Sequence, residues 1–155
     1  MPSAAAELID TRETPTAVIR GVVPVTQLAD FFDRSFGAVA AFTSKQNVEI
    51  IGPAFALYHS APSDAADLEV GFPTAQRVEP ADGVEAGSLP AGRAARLVHH
   101  GGYDALGSSW GQLERWMREQ GLEPAPSFWE VYVTEPSPDM DPADLRTELV
   151  WPIAG

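Results

Sequence analysis

One carboxylate stands where a strand should be apolar. In "PSFWEVYV", Pro126 to Val133, the residues Phe128, Trp129, Val131, Tyr132 and Val133 suit a pleated, half-buried surface, and Glu130 interrupts them. An unpaired carboxylate turned inward is costly, so an inward Glu130 needs something to satisfy it. Among aromatic rings such an acid offers two chemistries. It attracts a cation, or, with its pKa raised by desolvation, it takes a proton from a bound water. Turned outward, it is an ordinary surface residue or a partner for Arg93 or Arg96.

Strand alternation decides which neighbours share its side. Glu130 points with Phe128 and Tyr132, while Trp129, Val131 and Val133 point away. The earlier stretch "GPAFALYHS" reads as a comparable strand. Aligning Tyr58 with Tyr132 sets Ala56 at the place of Glu130 and Ala54 at that of Phe128. The bulkier set, including Phe55, Leu57 and Trp129, is expected to pack on the helices. The remaining face would then be free and hollow: small residues leave volume, rings give flat walls, and the acid gives one directional contact. The candidate ligand-binding residues are Glu130, Tyr132, Tyr58, Trp129, Ala56, Phe128 and, from a helix, Trp110. Sheet packing for the tyrosines and a core position for Trp110 are the alternatives.

Other chemistry is thinner. His99 and His100 are adjacent, so their side chains diverge on a strand, and His59 is far away in sequence; no metal site has support. Ser108 and Ser109 fall in a helix rather than on a nucleophile elbow. The glycines of "SLPAG" and "HHGGY" match no phosphate-binding fingerprint. The absence of cysteine excludes disulfides, thiolate metal sites and thiol nucleophiles. No cofactor is expected.

The positioning elements follow from periodicity. "TAVIRGVVP" reads as a strand, and "VTQLADFFDRSFGAVAAFTSKQ" as a helix with Leu28, Phe31 or Phe32, Ser35 or Phe36, Val39 and Phe42 at helical spacing and Thr26 as its N-cap. "GPAFALYHS" and "DLEVGFP" form a hairpin. A Pro- and Gly-rich connector, 75–92, holds a short strand near Val84. "RAARLVHH" is again a strand, followed by a helix with Leu106, Trp110, Leu113 and Met117 on one face. Asp104 would cap that helix and Gly121 would end it. "PSFWEVYV", a turn-rich "TEPSPDMDPAD" and "LRTELVWPI" complete the chain. Strand, helix, strand, strand therefore occurs twice, and "EVGFP" (Glu69 to Pro73) matches "ELVWP" (Glu148 to Pro152), an internal duplication. Glu69 and Glu148, each near a strand start, would face solvent.

The 155 residues favour one domain, 1–155, with a first repeat at about 8–74 and a second at 93–155. Hydrophobic content of 45% with 21% charged residues places the chain in the globular class. The net charge of −12 repels phosphate backbones, so no nucleic-acid partner is expected, and cationic small molecules are weakly attracted. With neither a signal peptide nor an apolar run of membrane-spanning length, a cytoplasmic protein without a membrane partner is the default.

These segments, in this order and spacing, resemble the GyrI-like family, the effector-binding domain of bacterial multidrug-responsive transcription activators. "GPAFALYHS", "DLEVGFP", "LPAGRAARLVHHGGYDALGSSWGQLERWM", "PSFWEVYV" and "TELVWPI" carry the resemblance over nearly the whole chain. It implies an α+β fold: two β-α-β-β repeats related by a pseudo-twofold, an antiparallel sheet with two helices on one face and a ligand groove on the other. It also implies that Glu130 contacts cationic aromatic compounds amid tyrosines. No helix-turn-helix segment precedes the first strand, so a standalone binding protein for planar, apolar or cationic aromatic compounds is expected. Two further functions stay open. One, suggested by the resemblance, is a hydrolase opening the cyclopropane of genotoxins with Glu130 as base and Tyr132 or Tyr58 as hydroxyl donor, Glu130 and Tyr132 being the catalytic candidates; the other is an acidic protein-interaction module that inhibits a DNA-acting enzyme.

Overall fold

The computed structural model describes residues 6–60, 62–102, 105–134 and 139–154. Asp104, the expected cap of the second helix, and 135–138 of the last turn lie outside them. Eight strands form one antiparallel sheet: β1 (Glu7–Thr11), β2 (Thr14–Pro24), β3 (Phe55–Tyr58), β4 (Ala65–Pro73), β5 (Glu85–Leu89), β6 (Gly92–His100), β7 (Phe128–Tyr132) and β8 (Arg146–Pro152). Helix α1 (Leu28–Lys45) follows β2, and α2 (Leu106–Glu119) follows β6. The class is α+β, as expected.

The strand order, β1-β6-β8-β7-β3-β4-β2-β5, reads the same from either end once the halves are exchanged. β2-α1-β3-β4 and β6-α2-β7-β8 are the two repeats, meeting at β3 and β7. Each is completed by an arm from the other: β1 pairs with β6, and β5, the strand expected inside the connector, pairs with β2. Ala56 lies directly across from Glu130. Both repeats pair alike, Ala56 with Val70 and Glu130 with Leu149, which fixes the tyrosine alignment at atomic level.

Topology forces this sheet to curl. In a flat sheet β1 and β2 would lie six strand spacings apart, roughly 29 Å. Only Arg12 and Glu13 join them, and three Cα steps reach roughly 11 Å. Pro90 and Ala91 impose the same limit between β5 and β6. Thr11 ties the two connections together, donating its hydroxyl to the Pro90 carbonyl at 2.8 Å.

Curling gives the sheet two buried faces. The concave, helix-free face encloses Val18, Phe55, Leu57, Ala94, Trp129 and Val150. The other face carries both helices. Phe31, Val39 and Phe42 of α1, and Leu113 and Met117 of α2, are buried against it at the expected helical spacing. Which set faces the helices is thus the reverse of the expectation. The bulky residues fill the concavity, which has to be a core of its own, and the side of Glu130, Tyr58 and Tyr132 lies under the helices.

Helix ends divide similarly. Gly121 terminates α2 at φ +74°, with Leu122 N–H returning to the Met117 carbonyl at 2.8 Å, as its sequence position indicated. Thr26 does not cap α1. It sits in a 3-10 turn, Val25–Gln27, that leads directly into the helix, and Gln27 precedes Leu28 without a side-chain cap.

Candidate functional site

Glu130 lies on β7, one of the two central strands, only 7% exposed. Its Oε2 accepts the Trp110 indole N–H from α2 at 2.8 Å, and its Oε1 accepts the Tyr132 hydroxyl at 2.7 Å. Neutral donors therefore hold the carboxylate. Among the described residues no ion pair includes it. The alternative partner Arg96 is on the opposite face, bonded to Glu148 at 2.6 Å and to Glu7 at 2.9 Å. Glu69 is likewise drawn inward, 3.0 Å from His59, rather than left in solvent.

Desolvation pushes the Glu130 pKa above the ordinary carboxylate value. The Trp110 and Tyr132 hydrogen bonds pull it back, as does the charge of His99 when protonated. Burial, with the Glu130 charge adding to it, also pushes the Tyr58 hydroxyl up, so it stays protonated.

Aromatic rings close over the acid from both helices. Tyr58 stacks on Phe128 with centroids 5.2 Å apart and planes 13° from parallel. Trp110 stands edge-on to Phe128 at 4.8 Å and to Trp151 at 5.4 Å. From α1, Phe32 and Phe36 reach Tyr132 at 6.2 and 6.1 Å. Side chains thus occupy the space that the sequence suggested would be hollow.

Of the candidate residues, Glu130, Tyr132, Tyr58, Phe128, Trp110 and Ala56 gather at one place. Trp129 does not, for it belongs to the concave core behind the sheet. Sequence reasoning overlooked Trp151, Phe32 and Phe36, whose element positions were legible but whose convergence was not. It also overlooked His99, which is buried while His100 is exposed. The His99 Nε2–H donates to the Gly102 carbonyl at 2.8 Å, leaving Nδ1 to accept the Ser109 hydroxyl at 2.7 Å. A carbonyl rather than a carboxylate orients this imidazole, unlike the arrangement in a hydrolytic triad.

Similarity to known proteins now bears on this geometry. The family GyrI-like small molecule binding domain matches residues 6–154. No curated protein matches the sequence. Among solved structures, the EcmrR C-terminal domain aligns with 97% of this chain and 98% of its own, at 20% identity and TM-score 0.82. Against EcmrR in its DNA complex the chain spans 57% of the relative's length. A hydrolase from Listeria innocua aligns over 99% of this chain and 94% of its own, at 14% identity and TM-score 0.67. SAV2435 bound to tetraphenylphosphonium aligns over 97% and 94%, at 11% identity and TM-score 0.69. At these identities the structures attest the fold alone. The family match, spanning almost every residue, decides the assignment: this chain belongs to the GyrI-like small molecule binding domain family.

Proposed function

We propose that this protein captures planar or otherwise aromatic cations at Glu130. The observation that carries the reading is a buried carboxylate that forms no ion pair among the described residues, held by two neutral donors and walled by rings. Burying a charge without an opposite charge is unfavourable, and an aromatic cation supplies the missing one. The rings of Trp110, Tyr132 and Tyr58 then offer their faces to it. A guest enters by displacing the Trp110 and Tyr132 side chains that now bond to the acid. SAV2435, of the same fold, is bound to an aromatic cation of this kind.

Fluorescence titration with an acridinium dye tests the reading. Glu130→Gln keeps the shape and removes the charge, and should weaken binding about ten- to a hundredfold. Saturable binding unchanged in that variant would refute the assignment.

A second reading has one observation in its favour. A carboxylate with a raised pKa, 2.7 Å from a tyrosine hydroxyl, is equipped for general base chemistry. Water attacks a cyclopropane carbon and passes its proton to Glu130. The broken ring bond's electrons move onto a conjugated carbonyl oxygen, to which a tyrosine hydroxyl donates. A cyclopropane-bearing alkylator that gains the mass of one water, and does so no longer with Glu130→Gln, would favour this reading; intact substrate would reject it.

A further inference from the structure

The pseudo-twofold gives each position of one half a counterpart in the other. Gly21 pairs with Leu68, which pairs with Tyr58; His99 pairs with Thr147, which pairs with Tyr132. Ala56 corresponds to Glu130. On the helices, Phe31 lies over Gly21, with a ring carbon 3.2 Å from where a Cβ would be. Ser109 bonds His99 across the same ten-residue interval. Four equivalent places therefore hold Gly21, Phe31, Ala56 and Leu68 in one half and His99, Ser109, Glu130 and Thr147 in the other.

The first half shows that this layer packs well with apolar groups alone. The polar set is not a requirement of the fold. Nor is it fully satisfied internally: Thr147 is 0% exposed, yet its hydroxyl has no hydrogen-bond partner among the described residues. A buried hydroxyl left unpaired is destabilising, and a leucine serves at the matching place. Thr147 stands between His99 and Tyr132 in the cross-strand row, with neighbouring Cβ atoms about 4.5–5.5 Å away. It is thus adjacent to the Glu130 site.

We infer that Thr147 and Ser109 form a polar subsite beside Glu130 that recognises a ligand carrying an N–H or O–H donor next to its aromatic system. This rests on the proposed cation capture and specifies its preferred ligand class. Ser109 gives its proton to His99 Nδ1, which leaves its oxygen lone pairs as acceptors. The Thr147 oxygen is an acceptor too, and both lie on the helix-covered face of the sheet that carries Glu130. The subsite is therefore rich in acceptors, and it favours a protonated or amino-substituted ring over one whose charge is masked by alkyl groups.

Two flat tricyclic cations, aminoacridinium and N-methylacridinium, separate donor from charge. Wild-type protein should bind aminoacridinium about tenfold more tightly. Thr147→Val and Ser109→Ala should each lower aminoacridinium affinity alone and bring the ratio towards one, whereas Glu130→Gln weakens both dyes. Thr147→Val replaces an unpaired hydroxyl by a methyl, so its melting temperature should equal or exceed that of the wild type. A marked fall would mean that the hydroxyl serves the fold, which overturns the inference. Equal affinity for the two dyes in the wild type, or a ratio unmoved in both variants, also overturns it while leaving cation capture intact. Failure of both dyes to bind removes both readings.

Discussion

Replacing Tyr132 by phenylalanine removes one hydroxyl and keeps the ring that Phe32 and Phe36 touch. The lost bond is short, 2.7 Å, and its acceptor is a carboxylate 7% exposed, so water cannot readily substitute. Hydrogen bonds to charged groups contribute about 1.5–3 kcal/mol. Where Glu130 is ionised, in a chain of this length, that corresponds to a melting temperature lower by roughly 3–12 °C. The pH dependence is the sharper test. Burial raises the Glu130 pKa above the unfolded value, so its contribution to stability is fully present below about 4.5 and is lost as pH rises through the folded value. Tyr132 restrains that rise, and its removal enlarges it. The stability curves of Tyr132→Phe and wild type should approach each other in acid, to within about 1 kcal/mol for a neutral hydrogen bond, and diverge with rising pH. Urea titrations between acid and neutral pH, in the wild-type and Glu130→Gln backgrounds, measure this. A gap that is constant with pH, or equal in both backgrounds, would refute the account of Glu130 as a buried anion.

Dye affinity for N-methylacridinium should rise with pH, by up to about tenfold per unit while Glu130 is mostly protonated, because the cation binds the ionised acid; a flat profile in isothermal titration contradicts this. Gly71→Ala places a Cβ 1.9 Å from the Ala17 carbonyl oxygen on the neighbouring strand and should cost roughly 3 kcal/mol or more in urea unfolding. Leu113→Ala, at a fully buried site on the sheet-facing side of α2, should cost about 2–5 kcal/mol by the same measurement. Arg96→Ala breaks bonds to Glu148 and Glu7 that remain partly in contact with water, and should lower stability by only about 1 kcal/mol, less at high salt.

Much of the fold was legible in the sequence because its signals are local. Helical spacing marked Val39 and Phe42, and Leu113 and Met117; alternation separated Glu130 from Trp129; the echo of "EVGFP" in "ELVWP" disclosed the repeat. Alternation names two faces but does not say which one the helices cover. Bulk was a misleading guide, since curling gives the concave side a core that needs Phe55, Leu57 and Trp129. The curl is a property of the strand order, where β1 and β5 cross between halves, and local pattern carries no trace of that exchange. That Glu130 shares a face with Phe128, Tyr132, Tyr58 and Ala56 was legible through the tyrosine alignment, though not that the helices cover it. His99 and Ser109 were not, because their hydrogen bond joins a strand to a helix and depends on how α2 lies across β6, which local pattern does not state.

Ala56 faces Glu130 across the central strand pair. Two unlinked copies of the acid-bearing half, joined about the same axis, would set a carboxylate against its own image there. At about 5 Å and an effective dielectric near 20, their repulsion is roughly 3 kcal/mol, in addition to a second desolvation. Self-assembly from identical halves is thus incompatible with keeping both groups ionised. Joining the halves in one polypeptide frees each to diverge, so that one supplies the charge and the other the blank wall it faces.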